Sequence, residues 1–75
     1  MDVKLFIKSN INGRIVEKRL FEVIEDMGLQ ANIEIHHEDP PYMDGVFYTP
    51  TLIVDNRIVS SGKVLSKDEM TQFFM

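Results

Sequence analysis

Two stretches of this chain hold residue types that can do chemistry, and one residue type is missing. Thr49-Pro50 stands directly before an apolar hairpin. Proline at the start of a strand fits an edge position or a cis peptide bond, and otherwise marks a rigid turn. His36-His37-Glu38-Asp39 has the composition of a metal site. Along a strand, however, His36 and His37 point to opposite faces, and no further ligand recurs nearby. Solvated strand-end polarity is the better account, and no metal is expected. The acidic residues Glu17, Glu22, Glu25 and Asp26 read as a solvated helix face laced with Lys18 rather than as paired catalytic carboxylates. No serine lies in a nucleophile-elbow context. Cysteine is absent from all 75 residues. Thiol–disulfide exchange needs a thiolate attacking a sulfur, so that reaction is excluded and the chain is not expected to be an enzyme of that kind.

The elements that position these residues follow from periodicity. Val3–Lys8 alternates with β-branched content and reads as a strand. Phe6 interrupts its polar face, as in a central strand covered on both sides. Ser9–Gly13 is a polar loop in which Asn10 or Asn12 can cap the next helix. From Ile15 to Met27, Val16, Leu20, Val23, Ile24 and Met27 recur at helical spacing, and Gly28 ends the run. Asn32–His37 alternates again, completing a parallel βαβ unit with an exposed edge. Asp39-Pro40-Pro41 is a helix-start signal, but Tyr42–Gly45 leaves room only for a stub. Thr51–Val54 and Arg57–Ser61 flank Asp55-Asn56, both tolerant of positive φ, and form a hairpin. Ser66–Glu69 is a capping box, followed by Met70, Phe73 and Phe74 on one face. Leu5, Ile7, Val16, Leu20, Ile24, Leu52, Val54 and Phe73 are the expected core.

Composition narrows the function classes. A chain of 75 residues is expected to be one domain, residues 1–75, near the lower limit for a self-sufficient core. Its net charge is −4 and its basic residues are scattered, which argues against nucleic acid and anionic membrane. No apolar run reaches bilayer length, and Met1-Asp2 leads straight into a strand without a secretory signal. The expected compartment is the cytoplasm. Tyr42, Met43, Val46, Phe47 and Tyr48 gather apolar surface in an irregular segment. They either cover an open sheet face or form a patch for a protein or a second copy.

The stretches Lys4–His37 and Thr49–Met70 resemble small thioredoxin-like proteins of archaea and bacteria, of the "redox-active disulfide protein" type. The resemblance covers nearly the whole chain through Thr49-Pro50, Asp55-Asn56, Gly62 and Ser66–Glu69. It implies a thioredoxin/glutaredoxin-like α/β fold: a four-stranded mixed sheet in order 2-1-3-4, with both full helices on one face. The family's Cys-x-x-Cys pair falls near Asn10 and Gly13, where this chain has no thiol. The resemblance therefore implies fold and not activity. It also implies a cis proline that exposes the backbone of Thr49 beside the first helix, where an extended peptide can pair with it.

Three readings follow. The first is a non-catalytic module binding a protein or peptide through Asn10, Ile11, Asn12, Gly13, Phe47, Tyr48, Thr49 and Pro50. The second is a glutaredoxin-like protein binding glutathione or a small anion through Thr49, Ser61, Gly62 and Ser66, where backbone N–H groups and a helix terminus attract a carboxylate. The third rests on Thr49-Pro50-Thr51-Leu52, which resembles a stretch of the fold-switching KaiB family, also thioredoxin-like and without the cysteine pair. No resident cofactor is expected. The edge Asn32–His37 can pair with its copy in a homodimer, although Glu34 guards it.

Overall fold

The computed structural model describes residues 1–40 and 48–75. The elements are β1 (Asp2–Phe6), α1 (Ile11–Asp26), β2 (Asn32–His36), β3 (Thr51–Val54), β4 (Arg57–Ser61) and α2 (Lys67–Phe73). They form one four-stranded sheet in the order β2-β1-β3-β4. β1 runs parallel to β2 and antiparallel to β3, and β3 is antiparallel to β4. This is the expected mixed sheet.

The central place of β1 explains its composition. Val3 and Leu5 join Leu52, the α1 residues Val16, Leu20, Val23 and Ile24, and Met70 and Phe74 in one buried cluster. Both helices therefore share one face of the sheet, and they pack against each other. The other face is also buried at Phe6, Ile53 and Thr51. Phe6 stacks there on the His36 ring, with centroids 4.7 Å apart.

Local signals set the ends of the elements. α1 starts at Ile11, ahead of the apolar periodicity that begins at Ile15, because the Asn10 side chain accepts a hydrogen bond from the Gly13 N–H at 2.8 Å. At the other end Gly28 takes φ +63°. Its N–H reaches the Glu25 carbonyl at 3.0 Å and the Leu29 N–H reaches Ile24 at 3.1 Å, the paired bonds of a Schellman motif. The β3–β4 turn has both Asp55 and Asn56 at positive φ. α2 begins with the Ser66–Glu69 capping box, both reciprocal bonds at 3.1 Å.

Two expectations need correction. Phe73 is not core: it is 37 % exposed, whereas Phe74 is 9 % exposed and Met70 is fully buried. The i, i+4 pair Met70 and Phe74 faces the sheet and α1, which turns Phe73 toward Arg57, Ile58 and Val59 at the margin of β4. The two strands of the βαβ unit also stop short of where their alternation suggests: β1 ends at Phe6 and β2 at His36, with only the Ile7 N–H reaching beyond, to the His36 carbonyl at 2.9 Å. The stub over Tyr42–Gly45 and the site residue Phe47 lie outside the described residues.

Candidate functional site

The topology brings three connections to one end of the sheet. β1 ends there, α1 starts there, and β3 starts where β4 finishes, with Phe6, Thr51 and Ser61 in adjacent register. The connections enclose a cleft of about 170 Å³ lined by Lys8, Asn10, Asn12, Gly13, Thr49, Pro50, Gly62 and Val64.

The α1 side is built by Asn10 and Gly13. Asn10 caps the helix, and Gly13 is buried against the end of β1. A β-carbon on Gly13 would lie 2.1 Å from the Lys8 carbonyl oxygen, so only glycine allows the helix to sit this close. Asn12 and Ile11 are exposed on the first turn, Ile11 at 73 %.

The opposite side is the turn before β3. The Thr49–Pro50 peptide is cis. The Tyr48 carbonyl accepts from the Thr51 hydroxyl at 2.6 Å and from the Gly62 N–H at 2.9 Å, and the same N–H reaches the Pro50 carbonyl at 2.8 Å. The Ser61 hydroxyl accepts from the Tyr48 N–H at 3.1 Å and lies 3.0 Å from the Thr51 hydroxyl. Ser61 and Thr51 are thus committed to holding the turn. Tyr48 also packs its Cβ and ring over Gly62, where an added β-carbon would approach Tyr48 Cβ to 3.2 Å. The side chain is held at its base, yet the residue as a whole is 64 % exposed. Between these anchors, Thr49 makes no hydrogen bond to another described residue.

Charge around the cleft is paired. Lys8 Nζ lies 3.2 Å from Asp39, both exposed. Lys63, beside Gly62, bridges to Glu69. Hydrogen bonds from Lys63 and Ser66 hold the Glu69 carboxyl below the usual carboxylate range. The N-terminus of α2 is therefore already capped by the chain's own groups.

Asn10, Asn12, Gly13, Thr49, Pro50 and Gly62 meet in this cleft. Ile11 and Tyr48 are exposed next to lining residues in the chain but do not line the cleft, and Ser61 lies behind the turn. Ser66 is engaged in the α2 cap. Sequence reading missed Lys8 and Val64. Lys8 is the last polar position of the first alternation, and Val64 follows Gly62 by two, so strand-end position was the available signal. His36 and His37 separate as expected: His36 lies 3.7 Å and 3.8 Å from Glu34 and Glu38, while His37 Nδ1 lies 3.1 Å from the Ser9 hydroxyl.

A βαβ unit, an antiparallel hairpin and a C-terminal helix, with a cis proline facing the start of the first helix, define the thioredoxin fold. Here it lacks both thiols at the helix start. The family model described as the thioredoxin domain matches residues 1–75, and the chain belongs to that family. No curated protein and no solved structure matches it. With no cysteine, the chain has no thiol–disulfide oxidoreductase chemistry of its own. No helix among the described residues is long and apolar enough to cross a membrane.

Proposed function

We propose that this is a single-domain, cytoplasmic, non-catalytic module that binds an extended protein or peptide segment at the cleft between Asn10–Gly13 and Gly62–Val64. One observation carries the reading: Thr49 lines the cleft with no hydrogen-bond partner among the described residues, while the Tyr48 backbone and the Thr51 hydroxyl on either side of it are bonded. A segment laid along Thr49 gains main-chain hydrogen bonds, which give affinity without dictating sequence. Ile11 and Tyr48, both exposed and each next to a lining residue in the chain, supply apolar anchors. The anion-binding alternative gains less support, because the α2 N-terminus is filled by the Ser66–Glu69 box.

Selection of peptides from a displayed random library tests the proposal. Bound peptides should shift the backbone amides of Asn12, Gly13, Thr49 and Gly62. Tyr48→Ala should weaken binding about tenfold, the effect of losing a modest anchor. Shifts confined to the far end of the sheet, or no enriched peptide, sink the reading. A glutathione titration that moves Ser61, Gly62 and Ser66 instead would favour the anion-binding reading.

A further inference from the structure

We infer that Asn12 is a site of slow self-modification, deamidation at the Asn12-Gly13 bond, and that the Asn10 cap controls its rate. This goes beyond any ligand of the cleft and does not depend on one.

Asn12-Gly13 is the only Asn-Gly pair in the chain. Asn10, Asn32 and Asn56 are followed by Ile11, Ile33 and Arg57, whose side chains obstruct the approach of the following nitrogen. In the reaction the Gly13 nitrogen attacks Asn12 Cγ. The new N–Cγ bond replaces Cγ–Nδ2, and the amide nitrogen leaves as ammonia with the proton from the Gly13 N–H. Water then opens the cyclic imide at either carbonyl. The products are aspartate or isoaspartate at position 12 and no other reactant is needed.

The folded chain opposes the first step in two ways. Asn12 lies in the first turn of α1, and helical ψ, about −42°, turns the Gly13 nitrogen away from the Asn12 carboxamide. The Gly13 N–H is also held by Asn10 Oδ1 at 2.8 Å. Cyclisation therefore waits for the first turn to open, a local event that needs no global unfolding. Asn12 is exposed and lines the cleft, so the reaction places a negative charge on a chain of net charge −4 at that wall. The aspartate product is favoured by the helix N-terminus. The isoaspartate product inserts a methylene into the backbone and unwinds the turn.

The test is to incubate the folded full chain in mildly alkaline buffer and follow each asparagine by peptide mapping and isoaspartate detection. Asn12 should be modified first. Asn10→Ala should accelerate it about fivefold, the extra opening expected when an average cap is lost, and Asn10→Ser should stay within roughly twofold of wild type. The chain in concentrated urea should react faster than either. Should Asn10→Ala fail to fold, wild type at stepped urea concentrations below its unfolding midpoint carries the comparison: the Asn12 rate should rise in step with hydrogen exchange of the Gly13 amide, and a rate that stays flat while that exchange quickens overturns the inference. The inference is overturned if another asparagine reacts first, if removing the cap leaves the rate unchanged, or if folded and unfolded chains react alike.

Discussion

Gly13 sets how closely α1 approaches the end of β1, and its effect is measurable. Alanine would gain about 1 kcal/mol in helix propensity. Its β-carbon, however, would meet the Lys8 carbonyl at 2.1 Å, and a backbone atom cannot swing aside as a side-chain tip does. Overpacking of this kind costs about 1–3 kcal/mol, so Gly13→Ala should lower stability by about 1 kcal/mol net in urea titration. A stabilised Gly13→Ala would show that the helix can slide outward freely. Gly62, at φ +77° beneath Tyr48, should lose about 1–2 kcal/mol on substitution by alanine. At this scale the sequence was half legible. An asparagine cap, at 10 or 12, and glycine at position 28 followed from residue type, because their partners are local; the structure selects Asn10. The demand for glycine at 13 was hidden, because it comes from a carbonyl brought near by the β1–α1 turn.

The helices and strands were legible wherever a face is buried. α2 shows the limit. Its capping box was readable, but a helix of one to two turns leaves its facing residues undetermined until it docks. Here Met70 and Phe74 point inward. Met70→Ala should cost about 2–5 kcal/mol, whereas Phe73→Ala should cost less than about 1 kcal/mol, by denaturation. α2 is also tied down electrostatically. Lys67 bridges Glu22 and Asp26 of α1 at 3.2 and 3.1 Å, and hydrogen bonds to Asp26 and then Glu22 raise its pKa. Glu69 is lowered by Lys63 and Ser66. The signs are opposite. A lowered Glu69 adds stability above its unfolded-state value that is lost as pH falls through its folded value. A raised Lys67 adds stability that is lost as pH rises through its folded value. Both groups are exposed, so the effects are small. In a pH series of urea midpoints, Glu69→Gln should flatten the acid limb alone and Lys67→Met the alkaline limb alone. The reverse assignment would refute this.

Across the whole molecule, packing on both faces of a four-stranded sheet holds a chain with no covalent cross-link. Its thermal midpoint should be the same with and without dithiothreitol, and an insulin-reduction assay should give no rate above buffer. Activity there would contradict the absence of a thiol. The sheet order was readable because a βαβ unit followed by a hairpin admits few arrangements. The cleft was legible only in part, since its walls come from segments far apart in the chain. The close seat of α1 on β1 also makes the missing chemistry hard to restore. Asn10 can become cysteine at the cost of a cap. A second thiol at position 13 would have to push the whole helix away from the Lys8 carbonyl. Installing a redox pair therefore takes compensating changes in the β1–α1 turn as well as two thiols, so the crowding at Gly13 bars that chemistry more firmly than two absent side chains would.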